Sequence, residues 1–368
     1  MDMLSDPAYR LTPKMLTPSL LHDGSGATVY PAPRRPPTNP LFLSQRAQTG
    51  GVQPDPTAAT REVPGHEEID AVAAAADETP PAAGAVSGLL TAKDGLKYML
   101  YLPKGWSAVP TAATESPKLH PLLLFLHGRG GVKNPENVRG QSITKMLCEN
   151  HPNLMATEAE GFPFIVRIPV ASQPNWQPQF PSLLSLVATA QSDLHADPAR
   201  TYLTGQSMGG NGAWHLAASA AAGVFAAVVP VCGYLEMAPP PPKTKRKNSQ
   251  SGAGDTQSQQ QPAIPAPDRH VVNALLHKSI PIWAFHSADD VVVPVGHTDV
   301  AIETLRQQQY DGRCLRYTRY ETAPPMVLSG GKEMAGHAAW ELAYSTTELC
   351  ESHHTQLPCW WYSHVRLT

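Results

Sequence analysis

The chain has 368 residues, 42% of them hydrophobic, a net charge of −3 and a pI near 6.6. That length supports one large domain or two small ones, and the charge leaves no electrostatic footprint for nucleic acid or an anionic membrane. The five cysteines, Cys148, Cys232, Cys314, Cys350 and Cys359, are scattered without a C-x-x-C pair. They fit reduced thiols in a cytoplasmic compartment better than a disulfide framework or a zinc site.

Residues 1–85 hold 13 of the 38 prolines, an alanine tract at 73–76, and no sustained period of 2 or 3.6. Such a segment buries too little apolar surface to offset its chain entropy, and it reads as a disordered tail. Asp2 and Asp6 stand where a signal peptide would carry its basic region, so no secretory leader is expected. Residues 238–268 have the same low-complexity character: Pro239 to Pro242, the basic cluster Lys243 to Lys247, then a Gln/Ser run. The basic cluster reads as a solvated loop rather than a localisation or partner site. One folded domain over 86–368, carrying this insert, is the expected organisation.

Within that domain, short apolar β-prone runs at 98–102, 122–126, 164–168, 201–204, 226–231, 281–285 and 315–320 alternate with helical patterns. The helical patterns fall at 143–150, 182–194, 212–222, 297–309 and from 338 into 351. The alternation predicts an α/β fold, a mostly parallel sheet with helices on both faces and sites beyond the carboxyl ends of its strands. The apolar run 216–235 is long enough to raise a membrane-spanning reading. Its Ser219, Gly223 and Pro230 divide it instead into a helix and a buried strand, so no span is expected.

The first motif along the chain is the buried run ending at Leu126, followed by His127-Gly128-Arg129-Gly130-Gly131. Glycines there let the main chain approach a substrate and aim a bare N–H at it. The dinucleotide fingerprint and the P-loop lysine are both missing, which argues against nucleotide binding. His127 reads as structural. The central motif is Gly205-Gln206-Ser207-Met208-Gly209, with a strand before it and a helix after it. This is the context of a nucleophile elbow, where a strained turn lifts a serine hydroxyl above the sheet. Arg129 and Met208 N–H groups are the expected oxyanion donors and substrate contacts.

A serine nucleophile needs a base and an orienting carboxylate, and this fold uses the chain order Ser, Asp/Glu, His. Asp289 and Asp290 both lie in the loop after 281–285; two charged carboxylates side by side repel, so one is expected to face solvent. His337 follows Gly336 in the loop beyond 315–320. His286, His297, His353 and His354 are its rivals, with His286 read as structural.

These pieces in this order resemble the serine esterases of the α/β-hydrolase fold over residues 101–351. The likeness is to the phospholipase/carboxylesterase group and its polyhydroxybutyrate-depolymerase, feruloyl-esterase and "predicted peptidase" branch. The residues that carry it are Tyr101-Leu102-Pro103-Lys104-Gly105-Trp106, Leu126-His127-Gly128, 197–210, Val229-Pro230-Val231-Cys232-Gly233 and 281–286. Asp290 with Val293-Pro294-Val295, and Ala335-Gly336-His337 with Trp340, complete the set. The resemblance selects Asp290 over Asp289, makes Cys232 a buried core thiol, and implies that Trp176 lines a pocket for the acyl or leaving group. It also implies cleavage of a small-molecule carboxylic ester or thioester without metal or organic cofactor. Peptidase activity, or an inactive hydrolase fold serving as a binding module, are the alternatives. Two departures stand out: ten extra residues, 323–332, precede His337, and the 238–268 insert occupies the place of lid elements.

Overall fold

The computed structural model describes residues 81–108, 117–152, 154, 161–235, 264–311, 314–327 and 331–345. The expected tail at 1–85 therefore lies outside the described residues except for 81–85, and the insert except for 264–268. The rival histidines His353 and His354 lie outside them too.

The strands in chain order are β1 (Leu90–Thr91), β2 (Lys97–Tyr101), β3 (His120–Leu126), β4 (Ile165–Val170), β5 (Ala196–Gln206), β6 (Ala227–Val231), β7 (Ile282–Ser287) and β8 (Leu315–Tyr320). They form one sheet in the order β1-β2-β4-β3-β5-β6-β7-β8. The six from β3 to β8 run parallel to their neighbours, while β2 pairs antiparallel with β4 and β1 with β2. The seven residues of β3 are all buried, as an inner strand covered on both faces requires. A two-stranded hairpin, β9 (Met326–Val327) with β10 (Glu333–Met334), follows β8.

Helices cover both faces. On one lie α1 (Pro135–Arg139), α2 (Ser142–Cys148) and α7 (Ala339–Tyr344), whose Ile143, Leu147, Trp340 and Tyr344 pack on Phe125, Tyr202 and Phe285. On the other lie α3 (Phe180–Asp193), α4 (Met208–Ser219), α5 (Arg269–Lys278) and α6 (Gly296–Gln307), packed on Leu122, Leu124 and Leu203. In α3, Leu183, Leu186, Val187 and Ala190 repeat at helical spacing and are the buried stripe. Helix α4 is buried along nearly all of its length, with only Ser219 exposed. The apolar run 216–235 is thus the end of α4 followed by β6, and no helix among the described residues is long and apolar enough to cross a membrane.

Several elements exceed the sequence expectation, β5 and α5 among them. Strand β5 begins at Ala196 rather than 201, because the Asp197 carboxylate holds the turn-like stretch by accepting from Ala199 N–H and Arg200. Helix α5 has no counterpart among the expected helices. Its Asp268 N-cap accepts from His270 N–H, and Val272 and Leu275 are its buried pair.

Candidate active site

Ser207 stands at the turn between β5 and α4 with φ 55° and ψ −116°, a region that non-glycine residues avoid. Its neighbours make the turn feasible. A side chain at Gly205 would overlap the Gly209 carbonyl, and one at Gly209 would overlap the Leu126 carbonyl. The turn is anchored by Ser207 N–H donating to Val231 O at 2.9 Å and Asn211 N–H donating to Ser207 O at 3.0 Å. The Ser207 hydroxyl remains partly accessible while Met208 is buried beneath it.

Three side chains from distant parts of the chain meet at this turn. Ser207 Oγ lies 3.0 Å from His337 Nε2. His337 Nδ1 lies 2.8 Å and 3.0 Å from the two carboxylate oxygens of Asp290, so it carries the proton it donates there. Nε2 of that tautomer is the acceptor for the serine hydroxyl. Both His337 and Asp290 are buried. Burial alone would push the Asp290 carboxyl up. Hydrogen bonds from His286 and His337, the charge of His337, and the Val293 amide outweigh it and hold the group at about 2. The carboxylate therefore stays ionised at neutral pH.

His337 arrives by way of the extra residues after β8. Of these, Met326–Val327 form β9, which pairs with β10 just after them, and Gly336, at φ +65°, turns the chain back over the sheet. A side chain at Gly336 would overlap Asp289. Asp289 does not face open solvent as expected. It is half-buried, and its carboxylate accepts from Ser287 Oγ at 2.5 Å and from Ala323 N–H at 3.2 Å. Those two donors compensate its charge and remove the need to expose it. Val291 N–H also donates to Ala335 O at 3.2 Å, tying the Asp290 loop to the His337 loop.

The loop after β3 lies beside the Ser207 turn. Gly128 packs against Ser207, and Arg129 opens a 3-10 turn, Arg129–Gly131, just as Met208 opens α4. The first N–H groups of a helix or 3-10 turn have no acceptor within it, so both amides are free to serve a ligand. The Arg129 side chain is exposed. His127 supports the loop from below: Ala171 N–H donates to its Nε2 at 2.9 Å, and its Nδ1–H donates to Gly128 O at 2.6 Å. Burial, only partly opposed by that second bond, lowers its pKa to about 4 and keeps it neutral.

Trp176 is placed differently from its expected pocket wall. It has no exposed surface, its Nε1–H donates to His127 O at 3.1 Å, and its ring packs edge-on to His127 and against Gly212 of α4. It fills the space between the loop and the helix and offers no face to a cavity. A cleft of about 390 Å³, lined by Leu89, Lys97, Lys133, Ser172 and Gln179 among others, includes none of Ser207, Asp290 and His337.

Cys232 lies under the same centre with no exposed surface. Burial, and then the Asp290 charge, push its thiol well up, so it is a protonated core thiol. Its sulfur, an Asp290 oxygen and a His337 nitrogen lie within 4.8 Å of one another, a spacing open to a metal ion. The Asp290 and His337 atoms are already committed to each other by hydrogen bonds.

The contribution of His286 was not legible beyond its structural character. It is fully buried, and its Nε2 lies 3.2 Å from Asp290 Oδ2 and 2.9 Å from Val293 O. The spacing His286 to Asp290, four residues across the end of a strand, is the one signal the sequence offered.

No protein-family model and no curated protein matches the chain. Solved structures similar to it include a thermostable esterase (22% identity, TM-score 0.47), of which the match covers 62% against 76% of this chain. FphF, a fluorophosphonate-binding serine hydrolase of Staphylococcus aureus, matches at 14% identity and TM-score 0.47 over 71% of this chain and 95% of its own. LpqC, a poly(3-hydroxybutyrate) depolymerase from Bordetella parapertussis, matches at 14% and 0.39 over 68% and 82%. The chain thus spans under two thirds of the thermostable esterase. From its own strand order, the strained serine turn between β5 and α4, and the succession of Ser207, Asp290 and His337 beyond the carboxyl ends of β5, β7 and β8, the chain has the α/β-hydrolase fold.

Proposed function

We propose that the protein is a serine hydrolase that cleaves carboxylic esters or thioesters through an acyl-enzyme. The observation that carries this reading is the continuous hydrogen-bonded path from Ser207 Oγ through His337 to Asp290, at 3.0 Å and 2.8 Å. In the first step His337 Nε2 takes the Ser207 proton as Oγ bonds to the substrate carbonyl carbon. The Arg129 and Met208 amides receive the charge that develops on the carbonyl oxygen. The tetrahedral adduct then expels the alcohol or thiol, which leaves with the proton from Nε2. Water attacks the acyl-serine with the same nitrogen as base, releasing the acid and restoring the serine. Asp290, held ionised, keeps the tautomer that leaves Nε2 free to accept and stabilises the imidazolium between proton transfers.

The test is covalent labelling with a fluorophosphonate, alongside hydrolysis of a panel of acyl esters, thioesters and a peptide anilide. Wild type should label at one site and turn over the esters faster than the anilide, and Ser207→Ala should do neither. Labelling that survives in Ser207→Ala would remove the nucleophile from the scheme. A preference for the anilide would move the reaction class to peptide hydrolysis.

A further inference from the structure

Asp290 is shared by two histidines. His337 is the one that reaches Ser207, while His286 comes from within β7 and contacts the same Oδ2. Its proton inventory follows from its partners. Nε2 faces the Asp290 carboxylate and the Val293 carbonyl, both of which only accept, so the hydrogen sits on Nε2. Nδ1 faces the Thr298 hydroxyl at 2.7 Å, and that hydroxyl also lies 3.1 Å from Gly233 O. A chain of contacts therefore runs from the segment after β6, through Thr298 on α6 and His286 on β7, to the carboxylate. His286 and Ser287 have no exposed surface and Thr298 has almost none, so water does not compete for these contacts.

Asp290 uses the rest of its acceptor capacity on its own loop: Oδ1 accepts from Val292 N–H at 2.8 Å and Val293 N–H at 2.9 Å. These two amides, with a longer contact from His337 Nδ1 at 3.0 Å, hold one oxygen, and the donors to the other oxygen are the two histidines. The second oxygen is the one closer to His337, and it is the one His286 holds.

We propose that His286 is a positioning residue for Asp290: its Nε2–H, shared between the Val293 carbonyl and the second carboxylate oxygen, keeps that oxygen in the orientation that receives the His337 Nδ1–H, and Thr298 holds the ring of His286 in turn. This rests on the reading of Ser207, His337 and Asp290 as a hydrolytic set. An outer-shell donor of this kind leaves substrate binding alone and acts on the alignment of the base, so its loss falls on kcat and spares KM.

The experiment compares wild type, His286→Leu and His286→Gln as full-length proteins. Leucine fills the space without a donor, while glutamine offers an amide N–H at a comparable reach. Two readouts are taken: kcat and KM on the best ester of the panel, and the downfield proton resonance of the His337 Nδ1–H. Circular dichroism and thermal melting verify that each variant is folded. His286→Leu should lose roughly 10- to 100-fold in kcat with KM within about twofold, and its Nδ1–H resonance should weaken or vanish. His286→Gln should recover most of the rate and the resonance. A folded leucine variant with wild-type kcat and an intact resonance overturns the proposal, and so does a folded glutamine variant as impaired as leucine in both readouts. Should the wild type hydrolyse no ester and resist the fluorophosphonate, the hydrolase reading fails. The resonance comparison still decides whether His286 aligns Asp290.

Discussion

Acidification below the ordinary histidine range should cost the fold stability, and His127 is one reason. Its Nε2 must be unprotonated to accept from Ala171 N–H, and burial holds its pKa at about 4 against an ordinary 6.5. A pKa depressed on folding contributes stability that is fully present above 6.5 and is lost as the pH falls through 4. At about 1.4 kcal/mol per pH unit between the two values, the contribution comes to about 3 kcal/mol, a large share of an ordinary domain's stability. The assay is urea unfolding at a series of pH values from 7.5 to 4 (the window set by those two pKa values) for wild type and His127→Gln. Glutamine can accept from Ala171 and does not titrate. Wild type should lose about 3 kcal/mol more than the variant across the window. His120 at the start of β3 is also held near 4, by burial and then by Lys118, but it is common to both proteins and cancels. Parallel stability curves for the two proteins would refute the reasoning, because His127 would then not be the group that takes up the proton.

Asp290→Asn should lower kcat by roughly 10³- to 10⁴-fold with the protein folded, since an amide in that place favours the wrong histidine tautomer; steady-state kinetics on the best ester checks it. Gly336→Ala should destabilise the protein by at least about 1 kcal/mol and reduce activity further than the lost stability explains. The added methyl meets positive φ and Asp289 together, and melting with parallel kinetics separates the two effects. Lys278→Met should cost about 1–2 kcal/mol in urea unfolding without changing kcat. The ammonium donates to the carbonyls of Ala217, Ala218 and Ala220 at the end of α4 remote from Ser207.

The sequence was most informative where sterics or continuous burial left little choice. Gly205 and Gly209 on either side of Ser207 report a turn that only glycine permits, and the buried runs of β3, β6 and β7 report inner strands. The choice between Asp289 and Asp290 could not be made from local pattern. Both sit in the same loop, and what separates them is the direction each side chain takes: one toward His337, the other toward Ala323. Trp176 shows the opposite limit. A tryptophan near a site reads as a pocket wall or as filler with equal ease, and only its bond to the His127 carbonyl and its total burial decide for filler. The two-residue strands β9 and β10 carried no period to detect. Helix α5 escaped notice because it begins immediately after a low-complexity stretch, with only two buried apolar positions.

Two links, Val291 N–H to Ala335 O and Ala323 N–H to Asp289, join the loop after β7 to the arm that follows β8. Asp290 and His337 are consequently mounted on a common bracket, whereas Ser207 belongs to a separate fixture built from β5 and α4. A lesion in the bracket should disengage Asp290 and His337 as a pair and leave Ser207 upright. Combined substitutions there should then cost little more than the worse of the two alone.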